Sequence, residues 1–597
     1  MVVRGALRMR GFLFSMAKSS PAWAMLVFAL GMTSIAHAGD GQVTFIHIGD
    51  LHGHLIPRPD MRHGSPSHGQ TVGGLAHVYS RIREIRSRHP NALLINTGDT
   101  IQGSAEALYT RGQVMVDILN AWKIDAFAAG NWDFVYGTER FRELWVGDNP
   151  KAPWGALAAN LYYATLYDFP ETPYARFAGK RVLPPYAIKQ VNGVKVGIIG
   201  LVADRPPQAV STHVTDGFTL TPGIEELEAL VPHLRKVEKV NLVVLISERG
   251  LAGNLDLVER VPGVDVVLSS DMHEETWRAL KARSGTILLE EGQDGTMVGE
   301  LTVTVANGRM AGHAHTAHRI TTRANKADTQ TAEWIAAQRA SFVQGAAFRP
   351  HSNPINGSVL RVPIDTVIGH TKVALHRSNY SDAPGMPAVV EGSSHDFLAD
   401  SFRAACKSEV GVIRGFRYGT HIAPGPIKLE DIYHYIPIGP QIACGDVTGE
   451  QIRWQIEKSA HGALTKWVDN WTGGWLYNWS GVTFDLDPTQ EYGFMASNIR
   501  VNGEPLDPSR DYRIAGYWFV DNANMVNRMS AERIRVLRGT DGGTLDGPDI
   551  VAYYLQTLPT QTVEPLLNRI RLLKKLPQPI AANKETQCLK GAPRPDY

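Results

Sequence analysis

Cysteine is scarce in this chain: Cys406, Cys444 and Cys588 are the only three in 597 residues, all in the last third. None sits in a Cys-x-x-Cys pair, which argues against a structural zinc knuckle or a dithiol redox motif. Three thiols allow one intrachain bridge, and the sequence leaves open which two form it. Charge of one sign is lacking too. The net charge is +1 at pH 7, so no global field draws nucleic acid or a membrane surface. Beyond the first forty residues no apolar run is long enough to cross a bilayer. With 43% hydrophobic and 20% charged residues, the composition is that of an ordinary globular protein. At this length two domains are expected.

The N-terminus departs from that picture. Arg4, Arg8, Arg10 and Lys18 precede an apolar run from Ala22 to Ile35 that closes on Ala36-His37-Ala38. A basic start, a short apolar stretch and an A-x-A end describe a secretory signal peptide over residues 1–38. The run is too short, and too soon followed by polar residues, for a membrane anchor. The mature protein is therefore expected in the periplasm or secreted, with no stable membrane insertion after cleavage.

From Val43 to about Val305, short apolar runs alternate with helical patterns. The runs are "VTFIHIG", "ALLINTG", "DAFAAG", "VKVGIIGLV", "NLVVLIS" and "VDVVLSS". Stretches such as "GGLAHVYSRIREIRSRH" between them repeat apolar residues every three or four positions. Strand-then-helix repetition predicts a layered α/β domain over residues 39–324, with ligands gathering beyond the carboxyl ends of the strands. Residues 325–355 read as a linker helix, its pattern clearest to about residue 343. A second unit follows over 356–575, mixing helices ("HDFLADSFRAA", "TGEQIRWQIEKSA") with strands ("VTFDLD", "YRIAGYW"). The tail 576–597 lacks periodicity.

The strand ends carry the chemistry. "HIGDLHGHL" places Asp50 and His52 after the first run, "NTGDT" places Asp99, "AGNWDF" Asn131, "ISERG" Glu248, and "SSDMHEE" Asp271 and His273. In extended backbone, residues i and i+2 point the same way, so Asp50/His52 and Asp271/His273 are each expected to act as a two-pronged clamp. A single "GD" or "GN" is more often a turn than a ligand. Its recurrence after five apolar strands is not explained by turn chemistry. Seven oxygen or nitrogen ligands directed at one sheet edge predict a metal site.

This set resembles the secreted 5′-nucleotidase family of calcineurin-like metallophosphoesterases, whose pattern runs D-x-H, GD, GN-H-[DE], H, then GH-x-[HQ]. "PGPIKLEDIYHYIPIG" and "VTGEQIRWQIE" are similar to that family's C-terminal domain. The resemblance implies a layered metallophosphoesterase sandwich followed by a separate α+β 5′-nucleotidase-type substrate domain. It also implies that Asp50, His52 and His273 hold one divalent ion, that Asn131, Glu248 and Asp271 hold another, and that Asp99 bridges them for hydrolysis of a phosphate ester. Arg417 in "GFRYG" stands where the family binds the substrate's anion, a task suited to the guanidinium fork.

Several positions depart from the family. Its assisting histidine–aspartate pair is replaced by Trp132 and Val135, and Glu248 and Asp271 stand where histidines are usual. The adenine sandwich is not evident, because Ile438 in "PIGP" replaces an aromatic and no "GGDGY" segment occurs. AMP is accordingly expected to hold no large advantage over a base-free phosphomonoester. "GGLAH", "TRGQVMVD", "NWDFVYG" and "GFRYG" are more similar to the SoxB thiosulfohydrolase branch, which implies two manganese ions and release of sulfate from a carrier-bound cysteine S-sulfonate. "DLHGHL", "ISERG" and "SDMH" differ from that branch's metal motifs.

Four carboxylates in the ligand set favour manganese, with magnesium or zinc as alternatives, and would by themselves neutralise two divalent ions. Three functions stay open: phosphomonoester hydrolysis, thiosulfonate hydrolysis, and metal or anion binding without catalysis. The expected partner is a small anionic substrate or a carrier-protein segment, not a nucleic acid polymer. Trp132 is read as shielding the metal edge or as core. Trp467, Trp471, Trp475 and Trp479 form either a packed hairpin or an aromatic wall. His77 is read as a helix-packing residue, and His47 and His54 are undecided. N-terminal sequencing of the exported protein is expected to begin at Gly39; an intact Met1 in a membrane fraction would defeat the signal-peptide reading.

Overall fold

The computed structural model describes residues 39–597 except 63–64, 166–174, 377–385, 417–420, 466, 473 and 577–597. The signal peptide, Arg417, Cys588 and most of the tail lie outside the described residues. Among those described, no helix is long and apolar enough to cross a membrane.

The first half contributes strands β1 (Gly41–Ile48), β2 (Leu93–Asn96), β3 (Ala126–Phe127), β4 (Tyr186–Val191) and β5 (Val194–Leu201). After them come β6 (Leu242–Ser247), β7 (Val266–Ser269), β8 (Leu280–Lys281), β9 (Ile287–Glu290), β10 (Met297–Ala306) and β11 (Arg309–Arg319). They form two sheets, ordered β11-β10-β1-β2-β3 and β8-β9-β7-β6-β5-β4. Strand alternation explains the layering. Val43 and Phe45 of β1 pack against Val196, Val244 and Val266 of the other sheet, whereas Ile46 and Ile48 face helix Leu75–Arg88. That helix buries Leu75, Val78, Ile82 and Ile85 at helical spacing. Helices Ile224–Lys236 and Gly250–Arg260 cover the outer face of the second sheet with Leu227, Leu230, Leu234, Leu251 and Val258. Each such apolar side chain contributes about 1.5–3 kcal/mol on burial. The result is an α/β/β/α sandwich.

Register positions the functional edge. β1, β2 and β3 run parallel, with Ile48 opposite Asn96 and Asn96 opposite Phe127. In the second sheet Ser247 of β6 lies opposite both Leu201 and Ser269, and Ser269 opposite Glu290. Parallel strands of both sheets thus end level, and the residues just past each end meet at one edge.

The second half is built on a sheet of β12 (Val410–Gly415), β13 (Gln441–Thr448), β14 (Trp475–Ser480), β15 (Asp511–Trp518) and, after the hairpin β16 (Met525–Val526) and β17 (Met529–Ser530), β18 (Glu532–Val536). The order is β14-β12-β15-β13-β18. Helix Gly449–Leu464 starts on a Thr448/Gln451 capping box. A disulfide joins Cys406 to Cys444, fixing the pairing that composition left open. The linker region carries helix Thr329–Arg339, capped by Asp328, and Arg339 at its end pairs with both Glu106 and Glu430. The tryptophan run is not one helical face. Trp475 and Trp479 are buried in β14, Trp471 is buried before it and Trp467 is exposed.

A buried polar knot ties the two halves together. Asp60, fully buried, accepts from Arg62 Nε at 2.9 Å and from the hydroxyls of Ser65 and Ser67 at 2.6 Å each. Arg62 also donates to Glu275 at 2.9 Å, and the Met61 amide donates to His421 Nδ1 at 3.0 Å. Burial alone would raise the Asp60 pKa; Arg62 and His421 instead hold it far below the usual carboxylate range. Because the folded pKa is depressed, this stabilisation is fully present above the unfolded value near 4 and is lost as pH falls below it. Asp60→Asn is expected to lower unfolding stability by about 3–5 kcal/mol at pH 7, since Arg62 is left buried with half its partner. In urea melts, the gap to wild type should narrow below pH 4; a constant gap would mean that charge is not what Asp60 contributes.

Candidate metal centre

Every turn at the functional edge is tight. Asp50, His52, Asp99, Asp271 and His273 have φ of 48°, 44°, 47°, 94° and 58°. The extended i/i+2 clamps expected from sequence are therefore not the geometry. The chain turns into the left-handed region at each of these residues, a conformation that costs non-glycine residues energy and concentrates at functional sites. Backbone bonds hold these turns to one another. Asp50 N donates to Gly98 O and His52 N to Asp99 O, both at 2.9 Å. Asp271 N donates to the Asp50 carboxylate at 3.1 Å. A Cβ at Gly130 would stand 2.1 Å from Asp99 Oδ1, so only glycine lets the "GN" turn come this close. Further along the turn, Trp132 N donates to that same oxygen at 2.8 Å.

The seven residues expected as ligands are brought together. Ligand atoms of Asp50, His52 and His273 lie within 4.8 Å of one another, as do those of Asp50, Asp99 and Glu248. Asp50 is common to both groups. The Nε2 atoms of His52 and His273 are 2.9 Å apart, and lie 3.7 and 3.6 Å from Asp50 Oδ1. Asn131 and Asp271 complete the wall, and all seven are buried. Burial first, and mutual carboxylate repulsion next, raise the pKa of Asp50, Asp99 and Glu248 well above the ordinary range. Neither oxygen of Glu248 receives an N–H or hydroxyl hydrogen bond, nor does Asn131 Oδ1. Buried acceptors without such donors, packed among carboxylates and imidazoles, fit divalent cations.

Three residues that sequence reading passed over shape this centre. Asp133 accepts from the amides of Gly130, Thr100 and Ile101 at 2.9, 2.9 and 3.1 Å, locking two ligand turns. Burial lifts its pKa to about 6, with the backbone bonds holding it from rising further. Glu290 accepts from the amides of Met272 and Glu274 and from Ser269 Oγ, and so sets the Asp271–His273 turn. Burial, then Glu274, pushes it up to about 8. The third is Arg205, whose Nη2 lies 3.2 Å from Asp271 Oδ2 and whose guanidinium stacks 4.2 Å over Trp471. Its signal was available: "VADRPP" follows the fourth apolar run, and the arginine there is a charge rather than a ligand type.

The centre opens into a cavity of about 310 Å³ whose other walls come from the second half. Trp132 and Trp471 line it, whereas Val135 is buried elsewhere. Ile438 lines it as well, but so do Phe416, Tyr517 and Phe519. Aromatic surface is therefore present despite the missing family aromatic. His54 stacks on His434 at 4.2 Å, His47 sits 3.8 Å from Glu291, and His77 Nδ1 bonds Asn325 O at 2.7 Å. None of these three belongs to the ligand groups.

Residues 43–275 match the calcineurin-like phosphoesterase family, and residues 367–529 match the 5′-nucleotidase C-terminal domain. A probable 5′-nucleotidase of Treponema pallidum is 24% identical, covering 80% of this chain and 86% of that protein. Human 5′-nucleotidase is 27% identical over 44% of this chain, which spans only 42% of the human protein. Among solved structures, the sulfate thiohydrolase SoxB of Thermus thermophilus superposes with a TM-score of 0.73 at 19% identity, covering 91% of this chain and 98% of its own. A 5′-nucleotidase precursor, also from Thermus thermophilus, gives 0.70 at 22% identity, covering 90% and 100%. At such identities the likeness is one of fold.

Arg205 puts a positive charge against a carboxylate of the centre. Arg205→Met is expected to bind manganese several-fold more tightly in a calorimetric titration, because a nearby repulsive charge is gone. An unchanged affinity would show that Arg205 is too well screened to act on the cation.

Proposed function

We propose that this chain, which belongs to the calcineurin-like phosphoesterases and carries a 5′-nucleotidase C-terminal domain, is an exported hydrolase of phosphomonoesters, with nucleotides as the preferred class. The observation that carries the reading is the buried carboxylate–imidazole cluster opening into an aromatic-lined cavity. Asp50, His52 and His273 would hold one divalent cation, and Asn131, Glu248 and Asp271 a second, with Asp99 between them. When bound, such a pair polarises the ester and lowers the pKa of the attacking water. The remaining work falls to side chains. Arg205 supplies positive charge beside Asp271, so the site is not neutralised by its four carboxylates as composition suggested. Phe416 and Phe519 offer faces for a base. Trp132, where relatives carry the assisting histidine, can exclude water but cannot move a proton, which implies slow turnover. Residues 39–324 would form the metal domain and 356–575 the substrate domain, joined through 325–355.

A carboxylate-rich donor set favours manganese or magnesium over zinc. Thiosulfonate hydrolysis is the second reading, favoured by one observation: Trp132 of "NWDFVYG", a segment similar to the SoxB branch, lines the cavity. Manganese-loaded protein assayed against AMP, ribose 5-phosphate and a peptide cysteine S-sulfonate separates the two. AMP is expected to exceed ribose 5-phosphate by about 5- to 100-fold in kcat/KM, the worth of one stacked base; equal values would return the substrate to a base-free ester. Asp99→Asn is expected to lose both bound metal and hydrolysis. If it loses neither, the bridging role fails and the binding-protein reading becomes the better one. Glu248→His with Asp271→His should shift metal preference toward zinc.

A further inference from the structure

Gly103 is where the metal centre touches the second half of the chain. It closes the segment "DTIQG" that Asp99 opens, with φ of 137°, a conformation glycine adopts readily and other residues rarely. A Cβ at this position would stand 1.9 Å from His52 O, so one ligand turn lies directly on the other. The Gly103 carbonyl meets the second half. His434 Nδ1 donates to it at 2.8 Å, and since a carbonyl only accepts, this contact places the imidazole proton on Nδ1. The same ring stacks on His54 at 4.2 Å. One side chain of the helix Leu429–Tyr435 thus contacts both the segment leaving Asp99 and the segment leaving His52.

The segment between Asp99 and Gly103 is held at both ends. At its start, the amides of Thr100 and Ile101 donate to Asp133 at 2.9 and 3.1 Å, within the first half. At its far end it runs into helix Ala105–Tyr109, capped by Ser104. Ala105 and Leu108 of that helix lie in the apolar core of the second half with Ile432 and Tyr433, and the hydroxyls of Tyr109 and Tyr433 are hydrogen-bonded at 2.7 Å. Between the two anchors, His52 N and Gly53 N donate to Asp99 O and Thr100 O at 2.9 and 3.1 Å. His434 is 4% exposed. Burial, ahead of His54 and Arg58, keeps its pKa well below the usual imidazole range. The ring is therefore a neutral donor shielded from water, and what it can do is fix where the Asp99 loop sits.

We propose that His434 is a positioning residue for the metal centre: from the second half, its Nδ1–H on Gly103 O holds the Asp99 loop against the His52 turn, and full affinity for divalent cations requires it. The inference rests on the reading of Asp50, His52 and Asp99 as metal ligands. It makes the metal centre depend on a side chain of the substrate domain that itself touches no ion.

Manganese calorimetry on the full chain tests it, with metal-free urea melts of each variant reporting stability separately. His434→Asn keeps a donor at the place of Nδ1 and loses the ring; His434→Phe keeps a ring for His54 and loses the donor. His434→Phe is expected to bind manganese roughly tenfold more weakly, whereas His434→Asn stays within about threefold of wild type, as befits one buried acceptor left unmade or satisfied. His434→Gln, whose amide reaches the place of Nε2 rather than Nδ1, carries the same expectation as phenylalanine and stands in where that variant does not fold. Asp60→Asn loosens the junction at Arg62 and His421, away from both ligand turns, and should bind manganese as wild type does. The positioning role is overturned if His434→Phe binds normally, if His434→Asn weakens binding equally, or if Asp60→Asn weakens it as much. A wild-type chain that binds no manganese sinks the metal-ligand reading, and the positioning role falls with it.

Discussion

Carboxylates buried beside one another repel, and that repulsion is the constraint around which the candidate metal centre is built. Asp50, Asp99 and Glu248 are held out of water with their oxygens a few ångströms apart. Left alone they would protonate, which is what their raised pKa values express. Keeping them assembled needs a scaffold that does not yield. Level parallel strands bring the turns to one edge, and left-handed backbone at five of the candidate ligands shapes those turns. Asp133 and Glu290 then lock the turns through backbone amides. These two are themselves buried acids with raised pKa values, so the strain spreads one layer outward rather than vanishing. A divalent cation relieves the inner layer in a way that protons would only imitate.

How much of this could be read beforehand depended on whether a feature is local. The convergence of the strand-end residues was legible because each follows an apolar run and parallel strands must end somewhere together. The sandwich was legible for the same reason, as were the helix over Thr329–Arg339 and the strand containing "YRIAGYW". Backbone conformation at the ligands was not. "GDLH" is compatible with extension or with a left-handed turn, and the decision is made by partners such as Gly98 O and Asp99 O on another strand's end. The Cys406–Cys444 bridge, Glu290 beneath Asp271, and the Asp60 knot reaching His421 are long-range pairings that periodicity cannot encode. The tryptophan run shows the limit from the other side. Its four-residue spacing imitates a helix, yet Trp475 and Trp479 lie in one strand, where even spacing puts both on one face.

Arg205 changes the electrostatic argument that composition invited. Counting ligands alone gives four negative charges against two divalent cations, a neutral site with little pull on an anionic substrate. The guanidinium beside Asp271 adds a positive charge to this wall, held in place by Trp471 stacked upon it and by Asp204 Oδ1, 3.7 Å from its Nε. One residue just past the end of β5 thus supplies charge beside a carboxylate where the family resemblance implies a neutral histidine. No comparable replacement stands at Trp132, where the resemblance to the 5′-nucleotidases implies a histidine, a proton carrier rather than a fixed charge. Charge can be supplied from any neighbouring element because Coulomb interactions act over several ångströms. Proton transfer demands a group within hydrogen-bond reach of the reacting oxygen, and the indole of Trp132, which lines the cavity, is not a group that titrates there. The two departures from the family therefore differ in kind. On the proposed reading, exchanging ligand chemistry is a question of charge, which Arg205 can supply, whereas exchanging histidine for tryptophan removes a group able to carry a proton.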